Sequence, residues 1–199
     1  LEQLGVASRQ RVNATIIGVT GSAGKTGTKE ALFAALDRCA PGKTHRSVKS
    51  YNNHVGVPLS LSRMPRDTRF GIFEMGMNHP GELRTLTAFV RPHVAIVTTI
   101  APAHIEFFKD EAAIADAKGE IFEGLQPGGT AIIPADSPHC ERLRAKALQH
   151  ADTVLTFGFA STADVRCDDF VESANGGSII TARMKGGLLQ YELSQPGRH

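Results

Sequence analysis

Short apolar runs recur along most of the chain, and each is followed by a segment whose apolar positions return every three or four residues. The runs "ATIIGVT" (14–20), "RFGIFEM" (69–75), "HVAIVTTI" (93–100), "GTAIIPA" (129–135) and "DTVLTFG" (152–158) are mostly continuous rather than alternating. Continuous runs of this kind predict strands covered on both faces, as in a parallel sheet. Helical periodicity predicts helices at about 25–38, 56–64, 80–90, 110–125 and 138–150. This alternation from Ala14 to about Phe159 predicts an α/β domain of three layers with a mostly parallel sheet. Beyond Phe159 the texture changes: "GSIITARM", the turn "KGG" and "LLQYELS" predict an antiparallel hairpin, to which "DVRCDDFVES" adds a third strand. The result is a small antiparallel subsheet near the C-terminus. Residues 1–13 read as a helix end and a linker, and the whole reads as a piece of something longer.

Composition narrows the classes without choosing one. A length of 199 residues suggests one domain, and 41% hydrophobic with 21% charged residues is ordinary for a globular protein. A net charge of +2 gives no electrostatic case for a nucleic acid or an anionic membrane. No apolar stretch approaches the roughly 18 residues of a membrane span, and the first residues lack the apolar core of a signal peptide. Cys39, Cys140 and Cys167 lie far apart and form no C-x-x-C, which reads as reduced thiols in a cytoplasmic protein.

The first strand-to-helix junction carries the candidate chemistry. In "TGSAGKTG" the glycines at Gly21 and Gly24 let the backbone turn tightly and aim N–H groups inward. Lys25 adds a positive charge and Thr26 a hydroxyl for Mg²⁺, at a helix N-terminus whose dipole favours anions. The general phosphate-loop pattern asks for glycine where Val19 stands, yet a strand precedes the loop and a helix follows it. The bland alternative is a glycine-rich turn with an exposed lysine. The reading favoured is a phosphate cradle formed by Gly21, Ser22, Ala23, Gly24, Lys25, Thr26 and Gly27.

Ligands of an open parallel sheet collect at the carboxyl ends of its strands. Glu74 falls at the end of the second run, and His104 and Glu106 fall in the loop after the third, so a carboxylate and an imidazole become candidate Mg²⁺ ligands. Glu74 also fits an ordinary strand-end charge, and His104 an exposed or helix-capping histidine. His79 precedes a proline at a helix entrance, and His93 opens a strand at the opposite rim. In "DEAAIADAKGEIFEGL" the apolar stripe is Ile114, Ala117, Ile121, Phe122 and Leu125, with Asp116, Glu120 and Glu123 opposite. Lys118 lies inside that stripe, where an ammonium needs a carboxylate, a ligand, a chemical change or a route to the surface. Asn52 and Asn53 either form a turn or present amides to a polar ligand.

Taken in order, "GVTGSAGKTGTKE", "NNHVGVPLSL", "FEMGMNHPGE", "AHIEFF", "AIADAKGEIFEGL", "GGTAII" and the terminal "PGRH" resemble the ATP-dependent Mur ligases, and within them the MurF type. The resemblance covers about 14–199, which it identifies as a central ATP-binding domain. It makes 1–13 a linker from an N-terminal substrate domain and places a C-terminal domain beyond this chain. It implies that ATP phosphorylates the terminal carboxylate of a UDP-muramoyl tripeptide and that D-alanyl-D-alanine then attacks the acyl phosphate. By matching motifs, Lys25 holds the β/γ-phosphates, Thr26 and Glu74 ligate Mg²⁺, and Asn53 joins the nucleotide site. His104 ligates a second Mg²⁺ together with Lys118, if that lysine is carbamylated as in many Mur ligases. Lys25, His104 and Lys118 are thereby the implied catalytic set of a monomeric enzyme. The chain departs from the family's usual pattern at Pro134, so Asp136 receives no role, and at Gly27, where serine or threonine is common. The alternatives are another ligase of the superfamily, such as a folylpolyglutamate synthase, or a P-loop switch that catalyses no ligation.

Overall fold

The computed structural model describes residues 1–102 and 107–194. Six helices and nine strands occur among them: α1 (Glu2–Gln10), β1 (Thr15–Thr20), α2 (Lys25–Cys39), β2 (Thr44–Arg46), α3 (Gly56–Ser62), β3 (Phe70–Glu74), α4 (Glu82–Val90), β4 (Val94–Val97), α5 (Glu111–Gly119), β5 (Thr130–Pro134), α6 (Cys140–Ala147), β6 (Thr153–Gly158), β7 (Val165–Glu172), β8 (Ser178–Met184) and β9 (Gly187–Leu193). They form one sheet in the order β2-β3-β1-β4-β5-β6-β7-β8-β9. Pairing is parallel from β2 through β7 and antiparallel from β7 to β9. The expected antiparallel subsheet is therefore present, and it continues the main sheet through the parallel pair Phe157↔Val165 and Gly158↔Arg166.

Each inner strand sends alternate side chains to opposite faces, because successive Cβ atoms point apart. Ile16, Phe73, Ala95, Val97, Ala131 and Ile133 face one way, into the large core with Leu61, Leu83, Ile114 and Leu143 of α3, α4, α5 and α6. Ile17, Val19, Ile72 and Ile96 face the other way, against Leu32, Phe33 and Leu36 of α2. The three layers are thus unequal: among the described residues, one face carries a group of helices and the other chiefly α2.

Three features differ from the sequence expectation. Residues 2–10, within the stretch read as helix end and linker, form nine residues of helix packed on α3 and α4. Arg9 is buried in it and its Nε and Nη2 donate to the carbonyls of Val90 and Arg91, both at 2.8 Å. Those carbonyls end α4, where helical partners run out. Arg9→Ala should lower unfolding free energy by about 2 kcal/mol, the cost of stranding two buried acceptors together with lost packing; urea denaturation reads it, and an unchanged midpoint would mean that water replaces the guanidinium. Secondly, β2 is absent from the sequence reading because Thr44, His45 and Arg46 are polar and half-buried. Thirdly, the helix expected over 110–125 stops at Gly119 and tightens into a 3₁₀ segment, Glu120–Gly124. The tighter winding turns Glu120 inward instead of leaving it opposite the stripe. Its carboxylate accepts the N–H of Gly81 at 2.8 and 2.9 Å and of Arg84 at 3.3 Å, closing the N-terminus of α4.

Candidate functional site

The carboxyl ends of β3, β1 and β4 are neighbours in the sheet, so Glu74, the loop at 21–24 and Thr98 meet at one rim. Gly21 (φ 152°) and Gly24 (φ 81°) take backbone conformations that side chains resist. The loop is stitched to the β4 side: Thr98 Oγ1 lies 2.5 Å from the Ala23 carbonyl and 3.2 Å from that of Thr20. Ser22 N donates to Thr99 O at 2.7 Å, while Ser22 Oγ exchanges hydrogen bonds with the carbonyl (2.9 Å) and N–H (3.0 Å) of Ala101. Gly24 then caps α2 without a side-chain acceptor. The N–H groups of Lys25, Thr26 and Gly27 open the helix with no intrahelical partner, which makes this end an anion receptor. A Cβ on Gly27 meets nothing within 4 Å, so glycine there is not demanded by space.

Lys25 folds back across this loop, its Nζ donating to the Gly21 carbonyl at 2.7 Å. Burial pulls its pKa down, and the nearby Glu74 carboxylate opposes that shift. Glu74 is 1% exposed. The Thr26 hydroxyl donates to its Oε2 at 2.8 Å, and the Asn52 amide to its Oε1 at 2.8 Å. Of the two asparagines, it is Asn52 that reaches the carboxylate. Asn53 Oδ1 accepts the N–H groups of Val55 (3.1 Å) and Gly56 (2.9 Å), where α3 begins. Lys29, unmarked in the sequence reading, also approaches Glu74 Oε2, at 3.7 Å. Its signal was its spacing: three positions after Thr26 and four after Lys25, it lies on their side of the helix.

Lys118 is buried, at 3% exposure, which rules out the route to the surface. No hydrogen bond or ion pair joins its ammonium to another described residue. Burial, and then the positive charge of Lys25, bring its pKa down to about 7. Lys118 therefore lies within reach of the charge of Lys25, the lysine that crosses the loop beside Glu74. His104 and Glu106 lie outside the described residues. His79 is exposed and meets Glu82 at 3.2 Å, whereas His93 accepts the Ile16 N–H at 2.9 Å at the opposite rim. Asp136, left without a role, accepts the N–H groups of Phe159 and Ala160, both at 2.7 Å, and fixes the turn after β6.

Residues 19–199 match the model of the Mur ligase middle domain. The chain belongs to the Mur ligase family. Among curated Mur ligases it is 35% identical, over 96% of its length, to UDP-N-acetylmuramoyl-tripeptide–D-alanyl-D-alanine ligase of Escherichia coli, of which it covers 41%. Among solved Mur ligases, MurF from Acinetobacter baumannii superposes with a TM-score of 0.90 at 30% identity, over 98% of this chain and 42% of the other. MurF ligase from Thermotoga maritima, solved in complex with ADP, gives 0.83 at 26% identity, over 98% of this chain and 44% of the other. The chain thus spans about two fifths of the length of the Mur ligases it matches. No described helix is long and apolar enough to cross a membrane. Thr26 and Glu74 supply a hydroxyl and a carboxylate, the hard oxygen donors that Mg²⁺ prefers beside substrate phosphates. The donor set fits that ion.

Proposed function

We propose that this chain is the ATP-binding middle portion of a MurF-type ligase that joins D-alanyl-D-alanine to a UDP-muramoyl tripeptide. The observation that carries the reading is its likeness to the Escherichia coli ligase along nearly the whole chain, since a phosphate loop alone fits many enzymes. The rim geometry agrees with it. In the reaction, a carboxylate oxygen of the tripeptide attacks the γ-phosphorus of ATP, and the bond to the β,γ-bridging oxygen breaks to release ADP. The amine of D-alanyl-D-alanine then attacks the acyl carbon, phosphate leaves with the bonding pair, and the new amide nitrogen loses a proton.

The chain's own residues bring two anions together. Gly21 to Gly27 wrap the phosphates with N–H groups, and Lys25 leaves the Gly21 carbonyl to follow the γ-phosphate. Thr26 and Glu74 would hold Mg²⁺, which would supply positive charge to offset that of the phosphates. By the family resemblance Asn53, whose Oδ1 holds the start of α3, would join the nucleotide site. By the family resemblance, Lys118 as a carbamate and His104 would hold a second ion. The enzyme works as a monomer in the cytoplasm, where ATP and nucleotide-linked precursors meet.

Lys118 needs only CO₂ for this change: the neutral amine attacks the carbon, a C–N bond forms, an oxygen takes the π pair, and one proton leaves. A pKa near 7 leaves much of the amine free to react. Native mass spectrometry in bicarbonate should show the gain of one CO₂ by the chain and none by Lys118→Ala; an unmodified parent would rule the carbamate out. The reading as a whole is tested by phosphate release from the full-length protein. Release is expected with UDP-muramoyl tripeptide plus D-alanyl-D-alanine, and not with folate plus glutamate; the reverse pattern would overturn it.

A further inference from the structure

The only buried residue of α2 is a lysine. Lys29 has no exposed surface (0%), although the rest of its fifteen-residue helix is half-buried or exposed. An ammonium withdrawn from water in this way must be offset by close partners. Its Nζ donates to the Lys49 carbonyl at 2.6 Å and lies 3.3 Å from Glu30 Oε1 and 3.7 Å from Glu74 Oε2.

Those contacts tie two segments, α2 and residues 47–52, to Glu74 at the end of β3. Thr26, one turn before Lys29, reaches the same Oε2 from α2. Ser47 Oγ accepts the Glu74 N–H at 3.1 Å, and Asn52 donates to Oε1, both from the segment that carries Lys49. Lys49 itself adopts φ 53°, which a residue with a side chain resists, and its carbonyl meets the Lys29 ammonium. A lysine that merely filled space would not need this set of acceptors around it.

We propose that Lys29 is a positioning residue: it holds the Glu74 carboxylate and the 47–52 segment in place against Thr26, so that the oxygen pair stands assembled before a divalent ion arrives. The proposal rests on the reading of Thr26 and Glu74 as Mg²⁺ ligands. Outer partners of metal ligands typically change ion affinity by about 10- to 100-fold.

Calorimetric titration of this chain with ADP, with and without Mg²⁺, separates the two ideas. Lys29→Met removes the charge and the hydrogen bond; Lys29→Gln keeps a donor for the Lys49 carbonyl. In the parent, Mg²⁺ should tighten ADP binding; in Lys29→Met that enhancement should fall by about 10-fold or more, with ADP binding in EDTA unchanged. Lys29→Gln should fall between them. An enhancement fully kept by both variants, whatever their loss of Tm, overturns the role of Lys29 alone. A parent with no enhancement overturns the metal-site reading and this proposal with it. Because Lys29→Met strands Glu74 as a buried carboxylate, Glu74→Gln and the double variant are measured as well. The double variant should lose less Tm than the two single changes summed; additive losses would show that the pair is uncoupled and would also overturn the proposal.

Discussion

Lys25→Met weakens ADP binding by about 100-fold, the expected cost of removing charge-assisted hydrogen bonds to phosphate oxygens from a site where water is partly excluded. The size follows from where the ammonium sits. Lys25 already lies across the loop mouth, bonded to the Gly21 carbonyl 2.7 Å away, and burial disfavours its charge. A phosphate arriving at the α2 N-terminus gives that charge a stronger partner than a carbonyl. The unbranched methionine keeps the stem and leaves the helix intact, so the stability of the chain should hardly move. Calorimetry with Mg-ADP on both chains decides it, and equal affinities would remove Lys25 from phosphate binding.

Gly21→Ala has the largest expected effect on both fold and site. A Cβ there comes to 1.9 Å from Thr98 Oγ1 and 3.0 Å from Thr99 N, at a φ of 152° that adds strain of its own. Thr98 cannot step aside freely, because its hydroxyl is what holds the Ala23 carbonyl. Strain and the broken contact together should cost about 3 kcal/mol, which in a chain of this size lowers Tm by about 6–12 °C. ADP binding should be lost, since the loop N–H groups no longer converge. Scanning calorimetry on Gly21→Ala and on Gly21→Ala/Thr98→Ala tests the cause. Removing the hydroxyl should recover part of the Tm but not the binding, and a Gly21→Ala chain as stable as the parent would refute the clash.

Much of this was readable from local pattern. Continuous apolar runs are what a two-faced parallel sheet requires, so β1, β3, β4, β5 and β6 stand close to their expected places. The tight glycine turn between β1 and α2 was equally plain, because it is built from consecutive residues. What escaped depended on distant partners. β2 is a strand only because β3 offers an edge to Thr44, His45 and Arg46. Glu120 faces inward because the winding changes at Gly119, which a constant helical step does not foresee. The choice between Asn52 and Asn53 turns on a single residue of loop phase. Lys29 was hidden because a lysine in a weakly amphipathic helix looks like solvated surface until Glu74 and Lys49 close around it. His104 falls outside the described residues, and its role rests on the family resemblance.

The unequal layers carry a consequence for motion. The face lined by Ile17, Val19, Ile72 and Ile96 is covered mainly by α2, whose N-terminus is also the anion receptor. Transient opening of that helix uncovers one face of the central strands and dismantles the proposed nucleotide cradle in the same event. Occupancy of the cradle therefore draws on the equilibrium that protects the sheet. Amide protons of α2, and those of β1 and β3 beneath it, should exchange with solvent more slowly once ADP is bound, while those of β8 and β9 keep their pace.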